Sequence, residues 1–271
     1  MIDLLRTIAS VIVHMSKEKE LLVTLIINDF RKQYLGSYLG LSWAFLQPLV
    51  FILVIWTVFE HGFKVKPVSD ELPFFVWLVC GMVPWFFFSN SLAMGVDAIT
   101  SNSFLVKKVS FRVGILPVVV ICSEMIIHLG LILCVMVILM LYGLYPTLYW
   151  LQFIYYLGCQ FLLLIGLTLL FSALRVFIKD MSNIISVMLQ IGFWCTPIFW
   201  NSEMLSPKHQ IFIKINPLYY IINGYRETFT GEVWFWHHYK LAVFFFCISF
   251  FFIIIGSLFF KRLRPHFGDV L

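Results

Sequence analysis

The sequence predicts an all-α integral membrane protein with six transmembrane helices, and two observations carry that reading. Of its 271 residues, 61% are hydrophobic and only 12% are charged, against about 25% charged in a soluble domain. A soluble fold of this size cannot hide so much apolar surface, so lipid is the natural solvent. The second observation is a series of apolar runs near the length of a bilayer crossing, about 20 residues, separated by short basic segments.

The net charge of +5 does not point to nucleic acid. The basic residues sit between apolar runs, where they set membrane orientation, and form no basic-aromatic patch on a soluble face. The six cysteines, Cys80, Cys122, Cys134, Cys159, Cys195 and Cys247, fall inside apolar runs without CxxC spacing and read as small hydrophobes, not as metal ligands or a disulfide framework. The first fifteen residues are broken by Asp3, Arg6 and His14, so no cleavable signal is expected.

Residues 1–34 form the first region. Asp3, Arg6, Ser10 and His14 recur at helical spacing against Ile2, Leu5, Ile8 and Ile12. After Ser16, Lys17, Glu20, Thr24, Asn28 and Arg31 oppose Leu22, Ile26 and Phe30. Such an amphipathic helix rests in the membrane interface or packs on a soluble partner. Residues 35–271 form a single transmembrane domain with spans at 41–59, 74–96, 113–142, 150–174, 184–200 and 239–260. Gln47-Pro48 in the first span and Gln190 and Pro197 in the fifth are costly toward lipid and should face protein or water. The third span exceeds a perpendicular crossing and should tilt or project.

With the N-terminus in the cytoplasm, thirteen of the 19 lysines and arginines fall on the inner side and six on the outer side. The positive-inside rule therefore puts both termini in the cytoplasm. Between the fifth and sixth spans, Ser206-Pro207 and Asn216-Pro217 each pair an N-cap residue with proline at the first helical position. Two helices too short to cross are expected there, at 207–215 and 217–229, forming a re-entrant or interfacial outer hairpin. Irregular backbone at that depth is tolerated where it is buried or lines a cavity. On the inner side, capping residues Ser101, Asn102 and Ser103 should start a short helix with Phe104, Leu105, Lys107 and Lys108, suited to docking a soluble partner.

No G-x-x-x-x-G-K-[ST] phosphate loop and no H-E-x-x-H occur. His237-His238, beside Trp234 and Trp236, reads as a hydrated interfacial pair. Glu124 and His128 lie four apart on one face of the third span, either a functional intramembrane pair or a packing hydrogen bond. Trp43, Trp150, Trp200, Trp234 and Trp236 fall near span ends, as interfacial belts do. Trp85 and Trp194 lie deeper, and aromatic faces along a wet tunnel would suit sugar rings.

Four stretches together resemble the membrane subunits of ABC-type polysaccharide exporters, the type-2 exporters of O-antigen, capsule and wall teichoic acid: YLGSYLGLSWAFLQPL (34–49), NSFLVKKVSFRVGILP (102–117), NPLYYIINGYRETF (216–229) and FKRLRPHFGDVL (260–271). The first and third are the more specific. One departure is Arg112, where related sequences often carry proline after the phenylalanine; it adds charge beside Lys107 and Lys108, where lipid head groups or a diphosphate could be engaged.

The resemblance implies a homodimer in the bacterial inner (plasma) membrane. Each subunit would bind a separate cytoplasmic ATPase that uses ATP and Mg, this chain binding neither. The coupling interface would include Phe30, Arg31, Ser103, Phe104, Leu105, Lys107 and Lys108. Trp43, Gln47, Trp56, Trp85, Gln190 and Trp194 would line the conduit. Trp200, Asn216, Pro217, Tyr219, Tyr220, Tyr225 and Arg226 would form an outer gate. The implied cargo is a polysaccharide on undecaprenyl diphosphate. A permease for a drug or smaller lipid is the alternative. A membrane-embedded transferase acting on lipid-linked sugars would need paired carboxylates, and the outer side offers scattered Glu203, Glu227 and Glu232.

Overall fold

A computed structural model describes residues 19–34, 38–64, 72–107, 111–231 and 233–271, the side chains of residues 34 and 203 excepted. The pattern expected over residues 1–18, and Lys108, lie outside the described residues. In chain order, α1 (Lys19–Tyr34) precedes α2 (Ser42–Thr57, prolonged by a π turn, Val58–Gly62), α3 (Phe74–Val96), the short α4 (Ser103–Val106), α5 (Ile115–Leu141) and α6 (Gln152–Phe177). Then follow α7 (Met181–Cys195), α8 (Pro207–Lys214), α9 (Pro217–Thr230), α10 (Tyr239–Leu263) and α11 (Phe267–Val270). No β-strand occurs among the described residues.

Among the described residues, five helices are long and apolar enough to cross a membrane: those carrying α2, α3, α5, α6 and α10. The fifth expected span, residues 184–200, departs from expectation. Its helix α7 has 15 residues and stops at Cys195, a rise of about 22 Å against a hydrocarbon core of about 30 Å. Pro197 is the cause. The residue before a proline is pushed out of the α region, and Thr196 is extended, with φ −88° and ψ 137°.

Helix α3 is the hub, the most buried of the five, and packs against α2, α5, α6, α7 and α9. Helix α2 buries only one stripe, Ala44, Pro48, Ile52 and Ile55, so proline sits on the packed face. Helices α6 and α10 meet backbone to backbone. A Cβ added at Gly256 would lie 2.5 Å from the Gly166 carbonyl oxygen, and one at Gly166 would lie 2.7 Å from the Ile253 nitrogen. Helix α1 follows the first turns of α5. Leu22 packs on Ile115 and Val119, and farther along Ser123 Oγ donates to Asp29 Oδ2.

Two ends of the bundle differ. At one, here called the basic end, a second core gathers Ala98, Val113, Val176, Phe260 and Phe267. There Arg175 Nε donates to Asp97 Oδ1 and to Ser182 Oγ, at 2.8 and 2.7 Å. This cluster ties the end of α3 to the end of α6 and the first turn of α7. The opposite, hairpin end holds α8 and α9. Asn216 caps α9 as its sequence suggests, its Oδ1 accepting from Leu218 N at 3.0 Å. The Ser206 hydroxyl instead meets His209 Nδ1 at 2.7 Å. The two short helices are unequal: α8 has no buried residue, whereas α9 buries Tyr219, Tyr220, Ile221, Ile222 and Tyr225. Gly231, at φ 73°, closes α9 in the left-handed conformation that glycine adopts without cost.

Gly166→Ala and Gly256→Ala should each lower the thermal unfolding midpoint in detergent, because overpacking of this kind costs about 1–3 kcal/mol. Gly158→Ala, with nothing within 4 Å of its added Cβ, should not. Equal midpoints for all three variants would contradict the close crossing.

Candidate functional site

Helices α2, α3 and α7, with Ile127 of α5, line a groove with a volume of about 580 Å³. Helical spacing places its walls. Trp43, Gln47 and Phe51 recur every four residues along α2, Trp85 and Ser89 do so on α3, and Gln190 and Trp194 do so on α7. Residues four apart share a helix face, so each helix contributes aromatic rings beside a carboxamide or hydroxyl. Trp85 is buried and packs against Phe193 with ring centroids 5.6 Å apart. Gly192 leaves it room, since a Cβ there would lie 3.3 Å from the Trp85 ring. Trp43 and Trp194 remain about half exposed, at 45% and 54%. Among the described residues the wall carries no charged side chain. A surface of aromatic faces with a few neutral amides orients an uncharged, hydroxyl-bearing ligand.

Five of the six residues expected to line a conduit, Trp43, Gln47, Trp85, Gln190 and Trp194, meet at this groove. Trp56 does not. Its indole donates to the Glu60 carboxylate one turn on, and its ring packs on His61 and Phe75. Asn90, Ser89, Phe51 and Phe193 also line the groove and were not singled out from the sequence. The four-residue spacing from Trp85 to Ser89 and from Gln47 to Phe51 is the signal that could have found them.

The residues expected at an outer gate gather at the hairpin end but point into the bundle. Tyr220 and Tyr155 share a hydroxyl–hydroxyl bond of 3.0 Å, and Tyr225 OH meets His128 Nε2 at 2.8 Å. Trp200 Nε1 donates to the Trp194 carbonyl at 3.2 Å, and Asn216 Nδ2 to Thr196 Oγ1 at 2.8 Å. Arg226 is the pin of this end. Its Nη1 and Nη2 donate to the Pro197 and Ile198 carbonyls at 2.8 and 2.6 Å, and Nε reaches the Trp77 carbonyl at 3.4 Å. The guanidinium lies 3.4 Å over the Trp77 ring, a cation–π stack. Gly81 is required there, because a Cβ would come within 2.6 Å of Nη2. Trp77 carries no signal in the sequence that sets it apart, and Gly81 reads there only as a glycine inside the second span.

Glu124 and His128 share a helix face yet serve different neighbours. His128 is stacked on Phe87, with ring centroids 4.6 Å apart, and bonded to Tyr225. Glu124 lies beside the Gln33 and Asn90 side chains, with the Asp29 carboxylate near. A polar cluster thus runs from α1 through the buried Glu124 to the exposed Asn90 on the groove wall. Of the expected coupling residues, Phe30 packs against the main core, and Arg31 and Lys107 are exposed. Ser103 is half-buried. Phe104 protrudes at 61% exposure, while Leu105 anchors α4 on the second core. Among the described residues no three His, Cys, Asp or Glu side chains converge as metal ligands would.

Over most of its length the chain is similar to proteins of polysaccharide export. The O-antigen export system permease protein RfbA of Klebsiella pneumoniae is 27% identical over 253 residues, covering 93% of this chain and 95% of that protein. The protein of the same description from Myxococcus xanthus is 27% identical over 77% of this chain and 80% of its own length. The polysialic acid transport protein KpsM of Escherichia coli is 24% identical over 78% of this chain and 81% of its own. The profile of the ABC-2 type transporter family matches residues 20–230. With five apolar helices of crossing length among the described residues and a match over most of its length, this multi-pass membrane chain belongs to the ABC-2 type transporter family.

Proposed function

We propose that this chain is the membrane-spanning permease of an ATP-driven exporter that moves a polysaccharide, carried on undecaprenyl diphosphate, from the cytoplasm across the bacterial inner membrane. The observation that carries the reading is the uncharged aromatic groove in a chain whose relatives are named for O-antigen export and polysialic acid transport. Sugar rings offer apolar C–H faces to aromatic rings and hydroxyls to carboxamides, and the wall alternates those two chemistries.

In this reading α7 completes a sixth crossing together with the non-helical residues 196–200, and α8 and α9 enter from outside as a re-entrant hairpin. Both termini and the basic end face the cytoplasm. A second copy of the chain closes the open side of the groove, where α2 and α7 carry exposed apolar residues such as Val50, Val187 and Ile191. Two copies of a cytoplasmic ATPase dock at α4 and α1. Motion there reaches the groove through the cluster of Asp29, Gln33, Glu124 and Asn90.

Trp194→Ala and Gln190→Ala, measured as surface glycan in cells making the cargo, should each reduce export by roughly tenfold, about 1.4 kcal/mol of lost interaction. Met188→Ala, exposed on the opposite face of α7, should not. Undiminished export in all three would remove the groove from the pathway. Phe104→Glu should release the ATPase during co-purification while leaving the permease folded, because the side chain is exposed. Leu105→Glu should instead destabilise the permease by burying a charge in the second core. Normal ATPase retention and transport by the Phe104 variant would overturn the docking assignment.

A further inference from the structure

A second cavity, of about 170 Å³, lies at the hairpin end beside the first turns of α3, between α8 and α9. A water takes about 30 Å³ of liquid, so the space holds an anion of several heavy atoms rather than a chain. We propose that it is a binding site for a phosphoryl group, with Arg226 and Lys214 as its cations. This assignment does not depend on the cargo being a glycan.

Three features argue for an anion. First, Arg226 is 6% exposed, and a buried cation needs compensation. Among the described residues no carboxylate pairs with it: the ion pairs are Arg175 with Asp97 and His238 with Glu227. Second, a guanidinium has five N–H donors, and three go to backbone carbonyls of Trp77, Pro197 and Ile198. Two donors remain on a side chain that forms part of the cavity wall. Third, the wall is polar in an otherwise apolar protein. Lys214 adds a second cation, and Tyr219, Asn223 and Ser202 add hydroxyl and amide donors. A planar fork with spare donors beside an ammonium matches phosphate oxygens. The carbonyl bonds and the Trp77 stack hold that fork in place before any ligand arrives.

Two sources present this chemistry at a membrane surface: the phosphodiester of a phospholipid headgroup and the diphosphate of a polyprenyl lipid. The test uses the full-length chain in complex with its ATPase, purified in a non-ionic detergent, with inorganic diphosphate as probe by calorimetric titration. Saturable binding is expected, weakened about tenfold or more by Lys214→Ala, whose side chain is exposed enough to be removed without disturbing the core. Lys208→Ala, on α8 but outside the cavity wall, should bind like the parent. Arg226→Gln should abolish binding if it folds, and the lysine variants decide the matter if it does not. Competition then names the source: displacement by glycerol 3-phosphate assigns a lipid headgroup, and displacement only by a polyprenyl diphosphate assigns the lipid carrier. No saturable binding to the parent complex, equal affinity of the Lys214 and Lys208 variants, or equal binding of chloride at matched ionic strength would each overturn the proposal.

Discussion

The arrangement of the hairpin end depends on one buried cation. Arg226 lies on the Trp77 ring and holds the carbonyls of Pro197 and Ile198, so it joins α3, α9 and the chain leaving α7 at a single point. That chain needs the bond. Pro197 stops the helix, and the carbonyls beyond it have no helical partner inside an apolar bundle, where an unsatisfied carbonyl is costly. The guanidinium satisfies two of them. Without Gly81 it could not reach its seat. Glycine on α3, proline after α7 and arginine on α9 form one device, although 145 residues separate the first from the last.

The same junction fixes the groove. Trp194 sits in the last turn of α7, and its carbonyl accepts from Trp200 just beyond the break. The position of Trp194 on the groove wall therefore follows the Arg226 junction at one end of α7. At the other end, Ser182 is held by Asp97 and Arg175. A helix of 15 residues pinned at both termini, with most of one side exposed, is the element through which hairpin and basic end are mechanically linked. Helix α1 reaches the groove by a separate polar route through Glu124 and Asn90.

Much of this was legible in the sequence because lipid imposes a simple rule: apolar runs must close their own backbone bonds as helices. Residues 74–96 were read with both ends as observed, and the cap at Asn216 followed from Asn-Pro chemistry. The groove residues were legible as residue types, tryptophan and glutamine inside spans, where such groups need a reason. What the sequence concealed depended on contacts between distant elements. The end of α7 at Cys195 is local, but its stability comes from Arg226, 31 residues on. Trp56 shared the chemistry of the groove tryptophans and differed only in having Glu60 one turn away to receive its N–H. Glu124 and His128 looked like a pair because they share a face, yet α1 and α9 each claim one of them.

The most direct measurement is photocrosslinking during turnover. A benzophenone amino acid at position 194, in the reconstituted permease–ATPase complex supplied with lipid-linked glycan, should give an ATP-dependent adduct with the glycan. The same probe at position 188, on the opposite face of α7, should give none. Adducts at 188 but not at 194, or no glycan adduct at 194 in a complex that transports, would contradict a conduit lined by this groove.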